Sequence, residues 1–512
     1  MLTKLPILCA LAGSLLAQSN PCPAAANFGD PSASPAWNGW GVDASNARFQ
    51  PAGAAQLPAD QVPRLKLKWA FGFPGVRSVL GQPSVAGGRV FIGVDTGSVY
   101  ALDAATGCLY WSYQAEAGVR TAITIEHSGS RYAAFFGDLK ATAYAVDVVT
   151  GELLWKIRVD AHPTARITGA PKVAEGRVYV PVASGEEGAG VNPKYECCTF
   201  RGSVAALDAA SGRQIWKTYA IAEEAKPAGK NSDGVRRWAP AGGGIWNSPT
   251  IDLKRRALYV GTGDAYTDPA PNTTDAIMAM DLDSGKILWV KQDTENDAWL
   301  VGCTAKTPPE NCPKNLGPDH DFGASPILKT LADGRTILVA GQKSGNVWAH
   351  DPDRKGAVVW KTALVANTTE FGGKIVWGGA ADEQNAYFGL GPGGIAAVQL
   401  RDGERKWFTP LEPAPELAKH PGQEGPLTAI PGAVFSGGWD GVLRALSAAN
   451  GKVIWEYNTV REYQTVNGVA GKGGSIGAAG PTVAGGTLFV PSGYVGVRNG
   501  MPGNMLLAFA VP

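Results

Sequence analysis

The strongest constraint on the fold is a repeat that ends in tryptophan and recurs along most of the chain. Each copy has alternating apolar residues, an aspartate or a substitute for it, a glycine-containing turn, and a short apolar run that ends in Trp. This is the pattern of a β-hairpin, and repeats of this length indicate a radial or stacked architecture. Seven copies are visible: GSVYALDAATGCLYW, ATAYAVDVVTGELLW, GSVAALDAASGRQIW, AIMAMDLDSGKILW, GNVWAHDPDRKGAVVW, GGIAAVQLRDGERKW and GVLRALSAANGKVIW.

An eighth unit is divided between the two ends of the chain. The stretch LKLKWAF, which contains Trp69, supplies the end of a hairpin whose beginning, NMLLAFAVP, lies at the C-terminus. Most copies follow a further strand such as GGRVFIGV or EGRVYVPV, which gives four strands per unit. Radial repetition leaves few strand edges exposed, and pairing the two terminal strands closes the ring. We therefore predict an all-β, eight-bladed propeller with four-stranded blades, in which each repeated Trp packs between neighbouring sheets.

Composition agrees with this prediction and excludes two kinds of partner. The 67 Gly and 36 Pro, with only 18% charged residues, suit short strands and tight turns. The 46 Lys and Arg nearly cancel the 45 Asp and Glu, so the chain has no basic field for nucleic acid or an anionic membrane. Apart from the N-terminus, the sequence contains no sustained apolar stretch, so no membrane span is expected.

The N-terminus resembles a secretory signal, and the cysteine count fits an oxidising compartment. MLTKLPILCALAGSLLAQ has one Lys followed by an apolar run too short to span a bilayer. We assign residues 1–26 to a signal peptide and linker and residues 27–512 to one propeller domain. If cleavage precedes Cys22, six cysteines remain and permit three disulfides, of which Cys303–Cys312 would close a short loop. The protein is expected to be periplasmic or secreted.

Eight blades built from repeats of the form ALDAxTGxxxW resemble the pyrroloquinoline quinone (PQQ) dehydrogenases over nearly all of the exported chain. The same blade occurs in non-catalytic scaffold propellers of the outer-membrane assembly machinery, so residues outside the repeat must decide between the two. In the dehydrogenases a planar tricarboxylic quinone lies on the propeller axis between a tryptophan and a vicinal disulfide, with a cation at its reactive carbonyls.

Four stretches match the cofactor-binding residues of this family. GGGIWNSP resembles the motif that carries the tryptophan floor, which implies that Trp246 lies beneath the cofactor, where its flat aromatic face suits a conjugated ring. Arg120 in AGVRTAI matches an arginine that pairs with a cofactor carboxylate. Thr168 in ITGAPKV matches a hydrogen-bonding threonine, and Lys343 in AGQKSGN matches a Lys or Arg that reaches the quinone oxygens.

The same resemblance implies a metal site. ASGEEGAG resembles the loop that supplies a glutamate, with Glu187 the better match and Glu186 its neighbour. YVGTGDAYTDP has Asp264 where the family normally has Asn. Calcium prefers oxygen ligands, so a carboxylate at this position is compatible with it.

The segment GPDHDFGASPIL resembles the one that bears the catalytic aspartate, and its DFGASP run identifies Asp321 as the base and a third metal ligand. Asp319 and Asp297 are alternatives. Lanthanide-dependent relatives have a second Asp two positions later, where this chain has Gly323, which favours calcium.

The adjacent cysteines in KYECCTFRG, Cys197 and Cys198, would form the vicinal disulfide that covers the quinone opposite Trp246. In methanol and ethanol dehydrogenases the pair precedes the arginine, whereas here it follows Glu187 by ten residues. This arrangement is closer to the polyvinyl alcohol dehydrogenase branch. A bridge to other cysteines at the rim and a turn that only holds shape are the alternatives. Trp377 and Trp439 are expected at the mouth of the site, with Trp439 among the cofactor contacts.

The resemblance implies oxidation of an alcohol, with Asp321 as the base, PQQ as the hydride acceptor and calcium polarising the quinone. No C-x-x-C-H motif occurs, so no haem c is expected, and an external cytochrome c or a similar acceptor would take the electrons. Two alternatives stay open: a scaffold propeller, and a quinoprotein dehydrogenase for sugars or small alcohols.

Overall fold

The computed structural model describes residues 20–23, 28, 30–365, 375–413, 422–496 and 500–512. The predicted signal peptide and linker fall largely outside these residues. None of the helices in the described part of the chain has the length and hydrophobicity needed to span a bilayer.

Eight antiparallel sheets of the propeller kind dominate the structure, so the predicted number of blades is confirmed. In chain order the strands of blades 1 to 4 are Ser84–Ala86, Arg89–Gly93, Ser98–Asp103 and Leu109–Gln114; Thr124–Ser128, Arg131–Gly137, Thr142–Asp147 and Leu153–Arg158; Lys172–Ala174, Arg177–Ser184, Ser203–Asp208 and Gln214–Tyr219, with Ala165–Arg166 also paired to the second strand; and Thr250–Asp252, Ala257–Gly261, Ala276–Asp281 and Ile287–Gln292.

Blades 5 to 8 repeat this arrangement. Their strands are Ile327–Thr330, Thr336–Gly341, Asn346–Asp351 and Ala357–Ala363; Ala380–Ala381, Asn385–Gly389, Ile395–Gln399 and Arg405–Thr409; Thr428–Ile430, Ala433–Gly437, Val442–Ser447 and Val453–Asn458; and Thr482–Ala484, Thr487–Ser492, Met505–Ala510 and Lys66–Gly72. Outside the blades lie the strand pairs Lys226–Lys230 with Arg236–Ala239 and Glu462–Tyr463 with Gly471–Lys472, the α-helices Ala52–Ala55 and Glu186–Ala189, and the 3₁₀ turns Pro31–Ala33, Ala59–Arg64 and Pro352–Arg354.

The two ends of the chain close the ring in blade 8, as predicted. The last strand, Met505–Ala510, pairs antiparallel with Lys66–Gly72, which is the first strand of the described chain. Because the outermost strand of this blade comes from the N-terminal part, separating the blade would require breaking a complete hydrogen-bonded ladder.

The repeated tryptophans lock each blade to the next, which confirms their predicted packing role. Trp111 of blade 1 donates its indole N–H to the carbonyl of Val148 in blade 2, at 3.0 Å, and its ring covers Gly151. A Cβ on that glycine would lie 2.8 Å from the ring atom Cε3, and its φ of +75° also favours glycine. The same pairing of indole and turn glycine recurs at Trp69–Gly107, Trp155–Gly212, Trp216–Gly285, Trp289–Gly356, Trp360–Gly403 and Trp407–Gly451.

An N-terminal circuit, residues 36–50, runs across one end of the propeller and contacts the blades in order. Its hydrogen bonds reach the innermost strand of every blade, at Val85, Ile125, Lys172, Ile251, Leu328, Ala381, Ala429 and Val483. Arg48 of this circuit is buried, donates to the carbonyl of Leu427 at 2.5 Å and lies 4.6 Å from the Trp40 ring. Burial lowers the pKa of Arg48 to about 9. The circuit therefore joins all eight blades at one end of the axis.

Candidate active site

A cavity of about 540 Å³ is formed by loops at the same end of several blades. In an antiparallel sheet the start of the first strand and the end of the second strand lie at the same edge. Arg120, Thr168, Trp246 and Asp321 precede first strands, whereas Glu187, Asp264 and Lys343 follow second strands, so their side chains meet. The lining also includes Arg166, Ala183, Ser184, Gly244, Gly263, Tyr266, Trp299, Val301, Gly302, Asp319, Val376, Trp377 and Glu424.

Trp246 provides a flat aromatic surface in this cavity. Its ring meets the Trp377 ring edge to face, with centroids 5.4 Å apart and planes at 79°, and the Lys343 ammonium lies 5.3 Å from its centroid. The indole packs against Gly323, where a Cβ would lie 2.6 Å from Cζ3 and closer to two other ring atoms. Any side chain at position 323 would therefore displace the indole. A second cavity, of about 20 Å³, is lined by both Trp246 and Trp40 of the N-terminal circuit.

Asp321 is held in place by an amide and an ammonium. Its Oδ1 accepts from the backbone N–H of Asp264 at 2.9 Å, and its Oδ2 accepts from Lys343 Nζ at 2.8 Å. Lys343 also donates to Asp319 at 2.5 Å. Burial opposes ionisation of Asp321, but Lys343 and the Asp264 amide outweigh it and hold the pKa of Asp321 below its usual value. Burial likewise lowers the pKa of Lys343, but the carboxylates of Asp319 and Asp321 raise it well above its usual value. Asp321 is therefore an oriented carboxylate whose surroundings favour its ionised form.

The other proposed bases occupy different positions. Asp319 lines the cavity, whereas Asp297 does not. Asp297 accepts backbone N–H bonds from Asp319 at 3.0 Å and from His320 at 2.7 Å, and so fixes the segment that leads into Asp321. Burial raises the pKa of Asp297 to about 6.

The chemistry of the donor atoms fits a hard cation. Asp264 Oδ2 is buried and has no hydrogen-bond partner among the described residues. Burial and the nearby charges of Asp321 and Glu187 raise the pKa of Asp264 well above its usual value, and a bound cation would relieve this repulsion. In the described part of the chain, no three His, Cys, Asp or Glu side chains already form a metal-holding cluster. The three predicted ligands share one cavity without converging on a single point.

Two arginines in the cavity fit an anionic ligand. Within the described residues neither Arg120 nor Arg166 has a carboxylate ion-pair partner, although Arg120 lies 4.4 Å from the Trp377 ring centroid. Thr168 Oγ1 and Trp377 Nε1 are also buried, and neither has a hydrogen-bond partner among the residues that the structure describes. A flat acid with several carboxylates would supply acceptors for these donors.

Comparisons with known proteins agree with this chemistry. The chain matches the family model described as glucose/ethanol/alcohol dehydrogenase, beta-propeller domain, over residues 37–307. It is 43% identical to a polyvinylalcohol dehydrogenase from Pseudomonas sp over 93% of this chain and 77% of that enzyme. It is 40% identical to the polyvinylalcohol dehydrogenase of Sphingopyxis sp. (strain 113P3), over 93% of this chain and 76% of that enzyme. The chain belongs to the PQQ-dependent alcohol dehydrogenase family.

Solved structures agree on the fold. The quinohemoprotein alcohol dehydrogenase from Comamonas testosteroni superposes with a TM-score of 0.68 at 19% identity, covering 93% of this chain and 80% of that one. The outer membrane protein assembly factor BamB from Moraxella catarrhalis superposes with a TM-score of 0.53 at 15% identity, covering 87% of this chain and 99% of that one. A second family model, also of BamB, matches residues 200–420. The propeller fold is thus shared by an alcohol dehydrogenase and an outer membrane protein assembly factor.

Three of the predicted cofactor contacts do not line the cavity. Trp439 is buried and donates its indole N–H to Glu424 Oε2 at 2.9 Å, so it lies behind a lining residue. Cys197 and Cys198 are bonded to each other and buried, in a hydrophobic cluster that also contains the lining residue Tyr266. The other predicted residues are brought together: Arg120, Thr168, Glu187, Trp246, Asp264, Asp321 and Lys343.

Sequence reasoning missed Arg166, Trp299 and Glu424 as lining residues. Glu424 lies outside the repeats, so no periodic signal marks it. Arg166 stands two positions before Thr168. In extended backbone, side chains two positions apart point to the same face, so the sequence did contain a signal that both face the cavity. The predicted Cys303–Cys312 disulfide is present, and a third disulfide joins Cys22 to Cys108.

Proposed function

We propose that this chain is a PQQ- and calcium-dependent dehydrogenase that oxidises secondary alcohol groups, including those of a polymer such as polyvinyl alcohol. The observation that carries the proposal is the arrangement of one cavity. It combines a flat indole, two arginines that have no carboxylate ion-pair partner among the described residues, and an aspartate whose carboxylate is oriented by an amide and an ammonium. The polymer is proposed because two relatives named polyvinylalcohol dehydrogenase share at least 40% of their aligned residues with this chain.

Binding of the quinone would use residues that are already directed into the cavity. Trp246 supplies a face for stacking, and Arg120 and Arg166 supply guanidinium groups for carboxylates. Thr168 Oγ1 would gain the hydrogen-bond partner that it lacks among the described residues. Calcium would be held by carboxylates of Glu187, Asp264 and Asp321, and the chemistry of Asp264 Oδ2 supports this assignment.

Asp321 would take up the proton that the alcohol releases when it is oxidised. When bound, PQQ supplies the two-electron acceptor that takes the hydride from the alcohol carbon. Asp321 accepts the hydroxyl proton, because Lys343 and the Asp264 amide hold it ionised and fix its orientation. Lys343 and the Asp264 amide outweigh burial and lower the pKa of Asp321, which favours the ionised form that can accept this proton.

The electrons must then leave the protein. An external cytochrome c or a similar acceptor is proposed, because the sequence contains no C-x-x-C-H motif for covalent haem. The three disulfides suit an exported, periplasmic or secreted protein.

The test is alcohol-dependent dye reduction by protein loaded with PQQ and calcium. Asp321→Asn keeps the shape of the side chain and removes the base, so kcat should fall by at least about 10²-fold. Asp333→Asn, in an exposed turn of the same blade, is the matched control and should retain wild-type kcat. Comparison of polyvinyl alcohol with 2-propanol and glucose would identify the substrate class. Full activity in Asp321→Asn would refute the assigned base, and absence of activity with every alcohol would favour the scaffold alternative.

A further inference from the structure

The vicinal disulfide packs against the end of the helix Glu186–Ala189, which carries the proposed metal ligand Glu187. Cys197 and Cys198 are 2% and 0% exposed, and a Cβ added at Gly190 would lie 3.1 Å from Cys197 Sγ and from Leu300 Cδ1. The backbone N–H of Trp238 donates to the Cys197 carbonyl at 2.8 Å. The Cys pair is therefore fixed between the 186–190 helix region and the strand Arg236–Ala239.

The residues that directly follow the disulfide bind the carboxylate of Glu186. The backbone N–H of Thr199 donates to both oxygens, at 2.9 and 3.1 Å, and that of Phe200 donates to Oε2 at 2.8 Å. The Tyr195 hydroxyl donates to Oε1 at 2.9 Å. Glu186 is fully buried, so these donors stabilise its charge in place of water.

Glu186 is next to Glu187, which lines the cavity from the same one-turn helix, Glu186–Ala189. The backbone N–H of Val301, another lining residue, donates to the Glu187 carbonyl at 3.4 Å. Asn311 Nδ2 donates to the carbonyls of Gly190, Asn192 and Tyr195, at 3.1, 3.2 and 3.2 Å. Side-chain and backbone hydrogen bonds thus connect the disulfide turn to the backbone that carries Glu187.

We propose that the Cys197–Cys198 disulfide positions Glu187 for the cation by fixing the amides that bind Glu186. This inference rests on the proposed calcium dependence. Glu186 is a positioning residue that acts through its neighbour. Without the disulfide, the Thr199 and Phe200 amides can turn away from Glu186. The buried Glu186 carboxylate then loses hydrogen-bond donors, and the helix that carries Glu187 shifts.

The experiment measures calcium affinity by isothermal titration in three variants of the full exported protein. Cys197→Ser with Cys198→Ser removes the disulfide, and Glu186→Gln keeps the shape of the side chain but places an amide donor against the backbone N–H groups. The matched control is Cys22→Ser with Cys108→Ser, which removes a disulfide that is not at the cavity. Removal of residues that orient metal ligands typically weakens binding about 10- to 100-fold.

We expect calcium binding to weaken at least about 10-fold in the first two variants and to change less than about 2-fold in the control. Saturating calcium should restore most of the wild-type kcat, which a direct role in the chemistry would not allow. If the Cys197/Cys198 variant does not fold, Glu186→Gln decides. Wild-type calcium affinity in Glu186→Gln, or weaker PQQ binding with unchanged calcium affinity in the Cys variant, would overturn the inference. Failure of the wild-type protein to bind calcium would refute the proposed function itself, together with this inference.

Discussion

Gly323 gives the sharpest test of how the cavity floor is built. Trp246 packs directly on this glycine, and a Cβ at position 323 would lie inside the indole, 2.6 Å from Cζ3 and closer to Cη2 and Cζ2. The obstacle is a rigid ring rather than the flexible end of a side chain. Gly323→Ala must therefore tilt Trp246 or move the loop that follows Asp321.

The cost of inserting a methyl group into such a contact is typically about 1–3 kcal/mol. If most of this cost is relieved by tilting the indole, PQQ binding should weaken by about 10-fold or more, because about 1.4 kcal/mol corresponds to a tenfold change in affinity. Equilibrium titration with PQQ, followed by tryptophan fluorescence, measures this directly.

The control for this substitution is Gly53→Ala, at a helix position where a Cβ meets nothing within 4 Å. It should leave PQQ affinity unchanged. A folded Gly323→Ala protein with wild-type PQQ affinity and an unchanged near-ultraviolet circular dichroism spectrum would refute the assignment of Trp246 as the floor.

The other substitutions test a cofactor contact, a contact between blades and a buried lysine. Arg166→Gln should weaken PQQ binding about 10-fold, comparably to Arg120→Gln, because each removes one charged donor; equal affinity to wild type in a PQQ titration would exclude a contact. Trp360→Ala should destabilise the protein by about 3–5 kcal/mol, since it empties the contact between blades 5 and 6, and an unchanged thermal midpoint would contradict that role. Burial lowers the pKa of Lys172 to about 8, so between pH 8 and 10.5 the unfolded chain binds a proton that the folded chain lacks, and stability rises with pH. Lys172→Met should remove up to about 3 kcal/mol of that rise, measured as the shift in urea midpoint; an identical pH dependence in the variant would refute it.

The architecture could be predicted because its signals are local. Each blade carries its own alternation, turn glycine and terminal Trp, and Trp69 marks the divided eighth blade in the same way. Strand pairing between Lys66–Gly72 and Met505–Ala510 follows from completing this pattern rather than from any long-range signal.

Features that depend on contacts between distant segments could not be predicted. The N-terminal circuit has no repeat, and its partners extend from Val85 to Val483. Trp439 stood in a recognisable motif, but its position behind Glu424 depends on a neighbouring loop. The location of Cys197 and Cys198 could not be predicted either, because it depends on contacts with the inserted strand pair that ends at Ala239.

The most direct test of the central claim is an equilibrium titration of the folded, disulfide-intact protein with PQQ in the presence and absence of calcium. We predict saturable binding of a single equivalent, strengthened by calcium and weakened by Arg120→Gln. A folded protein that takes up no quinone at micromolar concentrations with calcium present would contradict the account.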